Sequence, residues 1–200
     1  MKLILASNNK HKLRELDALV REHFGTDVEV VSIKDAGFTG EIIEDGESFA
    51  ENALIKARAA AALGGIGVGD DSGLCVEALG GEPGIYSARY ASTDGRDADD
   101  NTNIDKLLGK LAGVADRRAK FVCAIGCVMP DGDEFVVTGE AHGIIIDGRR
   151  GDIGFGYDPV FCYPPLGRTF AQLTESEKSS VSHRGVAMRA FAAELKKHIK

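Results

Sequence analysis

Apolar positions along the first part of this chain alternate between strand and helix period. A short apolar run, LILA, predicts a strand over residues 2–6. Leu13, Leu16, Leu19 or Val20, and Phe24 then recur at helical spacing in KHKLRELDALVREHF. VEVVSI predicts a second strand over 28–33, and the stretch from Lys34 to Glu47, with its three glycines, predicts a loop. Ser48-Phe49-Ala50-Glu51 has the form of a capping box and opens an alanine-rich helix to about Leu63, where Gly64-Gly65 stops it. IGVGD predicts a buried strand that ends at the acid pair Asp70-Asp71.

The second half reads differently. GGEPGIYSARYAS predicts a loop or turn-rich connection, and residues 98–112 a helix. AKFVCAIGCVMP, DGDEFVVTGEAHG and IIID predict three consecutive strands, with Asp131-Gly132 as a hairpin turn. The glycine-rich GDIGFGYDPVF and the polar LTESEKSSVSHRG follow. A last helix over about 184–198 presents Val186, Ala187, Ala190, Phe191 and Leu195 on one face. Strand–helix alternation followed by a meander predicts an α/β fold with a mixed sheet, in two lobes with a cleft between them, within a single domain over 1–200.

Composition narrows the class. The chain has 200 residues, of which 44 % are hydrophobic and 28 % charged, which is ordinary for a water-soluble globular protein. No apolar stretch approaches the roughly 20 residues of a membrane span, and LILA is too short for a signal-peptide core. A cytoplasmic protein without a membrane partner is expected. The net charge of −7 argues against a nucleic-acid partner, which needs a basic face. Cys75, Cys123, Cys127 and Cys162 form no C-x-x-C pair and predict reduced, buried thiols.

Five stretches carry candidate chemistry, and each alone has two readings. Ser7-Asn8-Asn9-Lys10-His11-Lys12 joins a strand end to a helix start, so it reads either as a phosphate cradle or as a plain N-cap with solvated lysines. Asp70 and Asp71 repel unless a cation intervenes, so they read either as a metal-binding acid set or as a turn with one capping aspartate. Glu44, Asp45 and Glu47 precede a helix and suit its dipole, but an acid there can also share a cation with that pair. In GFGYDPVF and EKSSVSHRG, aromatic rings and the donors Lys178, His183 and Arg184 fit a nucleobase pocket, or a tight turn and a helix cap. Together they are the inventory that a nucleoside triphosphate hydrolase needs.

The order of these motifs carries more than any one of them. ASNNKHKLRE, SFAENALIKARAAA, DDSGLCVEALGGEPGIYSARYA, GFGYDPVF and LTESEKSSVSHRG, running from about residue 3 to 192, resemble the inosine/xanthosine triphosphate pyrophosphatases. The resemblance implies a long mixed sheet flanked by helices, two lobes around a substrate cleft, and a homodimer. It implies Mg²⁺-dependent hydrolysis of ITP, dITP and XTP to monophosphate and pyrophosphate. It further implies that Ser7, Asn8, Asn9, Lys10, His11 and Lys12 bind the triphosphate, with Asn9 and Lys12 foremost. Asp71 would serve as base or metal ligand, helped by Asp70, with Glu44 as the second metal ligand and Ser72 as a substrate contact. Phe155, Gly156, Tyr157 and Asp158 would form the base pocket, read by Lys178, His183 and Arg184. The regions 92–118 and 145–153 match only loosely.

Overall fold

In the computed structural model, which describes residues 1–199, seven strands form one mixed sheet. They are β1 (Lys2–Leu5), β2 (Glu29–Ser32), β3 (Ile66–Val76), β4 (Arg118–Val128), β5 (Glu134–Ile145), β6 (Phe161–Tyr163) and β7 (Arg168–Thr169). The order across the sheet is β2-β1-β3-β4-β5-β6-β7. β1 runs parallel to both β2 and β3, whereas β6 runs antiparallel to β5 and β7. The helices are α1 (Lys10–Phe24), α2 (Phe49–Ala61), α3 (Asp100–Lys110), α4 (Glu175–Val181) and α5 (His183–His198). The expected α/β class with a mixed sheet is observed.

The chain divides into two compact units. The first comprises Met1–Asp71, Cys123–Gly139 and the C-terminal stretch from Val186; the second comprises Ser72–Val122 and Glu140–Gly185. Each has its own core. In the first, Leu3 and Leu5 of β1, Ile66 and Val68 of β3, and Cys123, Ile125 and Cys127 of β4 meet Leu16 and Val20 of α1 and Ala187, Phe191 and Leu195 of α5. Ile4, pointing the other way as strand alternation requires, packs with Ala60 of α2. In the second, Phe121, Phe161 and Phe170 form an aromatic cluster, with Phe121 and Phe161 centroids 4.6 Å apart, around which Leu74, Ile104, Leu107 and Leu173 pack.

Local rules explain most boundaries. Asn9 caps α1 with its side-chain oxygen, which accepts from the amides of His11 and Lys12. Ser48 caps α2 by accepting from the Glu51 amide, but the Glu51 carboxylate returns to the amide of Glu47 instead of Ser48. Within the polar stretch LTESEKSSVSHRG lies α4, at whose start Thr174 and Glu177 form a complete capping box. Ser182 accepts from the Gly185 amide at 3.1 Å and so caps α5.

Two expected boundaries are corrected. β3 does not end at the acid pair but continues through it to Val76. IIID is not a separate strand: its first two isoleucines complete β5 across Gly143, whose missing side chain leaves room for the Cys162 carbonyl and the Phe161 ring. All four cysteines are thiols, as expected, but only Cys123 and Cys127 are buried, whereas Cys75 and Cys162 are half-buried; burial pushes the Cys127 thiol up to about 12.

α4 supplies a test of its anchoring. Arg168 and the capping bonds of Thr174 hold the Glu177 carboxyl at about 2, below its ordinary 4.5. A depressed carboxyl stabilises the fold above the unfolded value and loses that contribution as protons bind. Amide exchange across 175–181 is therefore expected to accelerate as pH falls from about 4.5 toward 2, after correction for intrinsic rates, and Glu177→Gln to abolish that pH dependence.

Candidate active site

The acid set owes its geometry to strand alternation. Ile66 and Val68 point to the α1 face of β3, so Asp70 does too. There its Oδ1 accepts from Lys12 Nζ at 2.6 Å, and its Oδ2 lies 3.8 Å from Cys123 Sγ. Gly67, Gly69 and Asp71 point to the α2 face. A Cβ on Gly67 or Gly69 would overlap the carbonyl oxygens of Ala57 and Ala53, so α2 rests directly on the strand's backbone. That close seat brings Lys56, on α2, to Asp71.

Lys56 is the residue that sequence reasoning missed. Its Nζ lies 2.8 Å from Glu44 Oε2 and 2.8 Å from Asp71 Oδ1, and its side chain is only 10 % exposed. The available signal was a lysine on the buried side of an alanine-rich helix, because a buried ammonium requires anionic partners. Asn52, one turn earlier on the same helix and fully buried, accepts from the Gly46 amide at 2.9 Å and so ties down the loop that carries Glu44.

Burial pushes the Asp71 carboxyl above its ordinary value; Lys56 and Lys12 pull it back, and Glu44 adds to the rise. For Lys56, burial opposes the charge, but Asp71 and Glu44 together outweigh it and hold the ammonium above its usual range. One acceptor is left over: Asp71 Oδ2 is buried and has no hydrogen-bond partner.

This donor set fits Mg²⁺. Among the described residues, no group of three or more His, Cys, Asp or Glu side chains stands ready to hold an ion unaided. Mg²⁺ does not need one, since it is commonly bound by one or two carboxylates together with waters and substrate phosphates. Glu44 and Asp71 converge on one cationic point, and the partnerless Oδ2 supplies a further hard oxygen.

The 7–12 segment is more self-satisfied than a free cradle would be. The Asn9 amide donates to Ser7 Oγ at 3.1 Å, and the His11 and Lys12 amides go to Asn9 Oδ1. Three of the amides expected to face an anion are thus engaged locally. Asn8 and Lys10 are exposed, and His11 lies 3.5 Å from Glu15. The charge that this segment itself brings to the acid set is the Lys12 ammonium on Asp70.

In the second unit, the 154–158 turn gathers a different set. Phe155 is 50 % exposed, with Lys178 Nζ 5.0 Å and the Arg184 guanidinium carbon 5.9 Å from its ring centre. Asp158 is buried, accepts from the Phe155 amide at 2.9 Å and pairs with Lys178. Burial raises its carboxyl above the ordinary value, while Lys178, the Phe155 amide and Arg184 oppose the rise. Gly154 has φ +97°, and a Cβ there would strike the Asp158 carboxylate. Gly156 donates to Asp100 at 2.7 Å.

Of the predicted aromatic pair, only Phe155 presents a face. Tyr157 is 4 % exposed, its hydroxyl donates to the Ser87 carbonyl at 2.8 Å, and burial raises its phenol. His183 is buried and stacks on Phe121 at 4.7 Å, which orients the start of α5 and the buried Arg184 that follows. Ser72 directly follows Asp71 and is half-buried.

A family model described as the Ham1 family matches residues 3–194. The dITP/XTP pyrophosphatase of Leuconostoc mesenteroides is 46 % identical over 199 residues, covering 98 % of this chain and 96 % of its own length. The solved Staphylococcus aureus Ham1 protein superposes with a TM-score of 0.89 at 42 % identity, covering 99 % of this chain and all of that one. A crystal structure described as nucleoside-triphosphatase / dITP/XTP pyrophosphatase from Mycobacterium abscessus gives 0.79 at 44 % identity, covering 96 % and 97 %.

Proposed function

Since this chain belongs to the Ham1 family, we propose that it hydrolyses deaminated purine nucleoside triphosphates, ITP, dITP and XTP, to the monophosphate and pyrophosphate, clearing them from the nucleotide pool. The observation that carries the reading is the acid set: three carboxylates held by two lysines, with one buried carboxylate oxygen still unpartnered. That arrangement suits a polyphosphate arriving with its own cation.

In this reading Glu44 and Asp71 hold Mg²⁺, which when bound neutralises phosphate charge and acidifies water. Asp71, its carboxyl raised by burial, takes the proton of the water that attacks the α-phosphorus. Lys12 and the 7–12 segment offset the charge of the tail, and Asp70 fixes the Lys12 ammonium. Positioning and charge neutralisation supply most of the rate. Phe155 stacks on the base, and Lys178 and Arg184 donate to the six-position carbonyl that hypoxanthine and xanthine share and adenine lacks. An amine there would face donors, and such mismatches are strongly discriminating. A homodimer in the cytoplasm, with no nucleic-acid partner, completes the proposal. Among the described residues no helix is long and apolar enough to cross a membrane.

The test is a panel of nucleoside triphosphates with Mg²⁺, reading both phosphate and pyrophosphate. Release of pyrophosphate from ITP and XTP in large excess over ATP is expected; orthophosphate would point instead to a phosphomonoesterase, and binding without product to a nucleotide sensor. Lys178→Ala is expected to shrink the ITP-to-ATP ratio of kcat/KM by about tenfold or more. An unchanged ratio would place the base reader elsewhere.

A further inference from the structure

Resting on the reading of Glu44 and Asp71 as the metal pair, we propose that Lys56 is a built-in counterion that holds the cation position until nucleotide and metal arrive together. Its ammonium sits 2.8 Å from one oxygen of each carboxylate, where a divalent ion would draw on both. Lys56 is carried on a helix seated against Gly67 and Gly69, which fixes its backbone beside the acid pair, and its side chain is only 10 % exposed. A divalent ion entering alone must take over both carboxylates and leave a buried ammonium without an anion, which is costly. A triphosphate entering with the ion brings that anion. The lysine thus lowers the affinity of the protein for metal alone and makes the metal–nucleotide complex the species that binds. Lys12 plays no such part, because it engages Asp70 on the opposite face of β3.

Mn²⁺ titration of the whole protein at pH 8 without nucleotide, followed by the paramagnetic resonance signal of the free ion, tests this. Wild type is expected to bind weakly. Lys56→Met, which keeps the stem and removes the charge, is expected to bind one Mn²⁺ on the order of tenfold tighter or more, because the competent state is no longer taxed by the ion pair. Adding Glu44→Gln to Lys56→Met should abolish the gain, and Lys12→Met, whose ammonium contacts neither carboxylate of the pair, should produce a much smaller one. Should Lys56→Met not fold, as thermal unfolding would show, Lys56→Gln takes its place with the same direction of change.

A wild type that already binds Mn²⁺ as tightly as either Lys56 variant would overturn the counterion role. So would a gain that survives Glu44→Gln. The metal-pair reading itself fails by a different sign: Glu44→Gln alone would retain full Mg²⁺-dependent pyrophosphate release. Loss of that release in Glu44→Gln, with no Mn²⁺ gain in Lys56→Met, would leave the metal pair standing and remove only the counterion.

Discussion

Asp71→Asn is expected to lower kcat for ITP by about a thousandfold while nucleotide still binds, within the range seen when a positioned base is removed. The amide keeps the shape of the carboxyl, and its oxygen still accepts from Lys56, now 2.8 Å from Oδ1. What disappears is the charge and the proton acceptor. Pyrophosphate release under saturating ITP, alongside calorimetric binding of the nucleotide, separates the two effects. Turnover near that of wild type would remove Asp71 from the chemistry. Retained turnover would also leave the partnerless Oδ2 and the burial-raised carboxyl without a role in the reaction.

Gly69→Ala, like Gly67→Ala, whose contacts are as tight, should be strongly damaging to the first unit. The added Cβ would run into the Ala53 carbonyl and come within 2.8 Å of the Lys56 Cβ, neither of which can turn aside. Overpacking of this kind costs about 3 kcal/mol, which for a domain of this size lowers Tm by roughly 6–12 °C. Because α2 must lift to relieve the overlap, Lys56 should also lose its reach to Asp71, and activity should fall well below wild type at temperatures where the protein is still folded. Differential scanning calorimetry and a 20 °C assay measure the two consequences. An unchanged Tm would mean that the helix sits higher on the strand than the structure places it.

Much of this architecture was legible in the residues. The spacing of Leu13, Leu16, Val20 and Phe24 together with Asn9 defines α1 at both ends, because amphipathic period and cap agree. The continuation of β3 was not legible. Asp-Asp-Ser-Gly has the composition of a turn, and it stays extended because lysines from two helices neutralise the two carboxylates on opposite faces. That is tertiary information, invisible to a local window. Gly143 likewise looked like a break and is instead a close approach within β5.

For the site, the resemblance named the carboxylates, the aromatic turn and the donors in α4 and at the start of α5. It did not name Lys56 or Asn52, whose importance lies in what they touch. α4, by contrast, was missed although Thr174 and Glu177 advertise it. Tyr157 illustrates the limit of composition: an aromatic in a glycine-rich turn reads as a stacking surface until its hydroxyl is found spent on Ser87.

The first unit is assembled from three separated stretches of chain, and the last of them supplies Ala187, Phe191 and Leu195 to its core. On the ribosome, therefore, Lys12, Glu44, Lys56, Asp70 and Asp71 all emerge more than a hundred residues before the helix that closes over the layer beneath them. Their ion pairs have to wait for nearly the entire polypeptide to be synthesised. A message truncated just short of α5 would yield a chain bearing all five of these acids and lysines and no stable place to hold them.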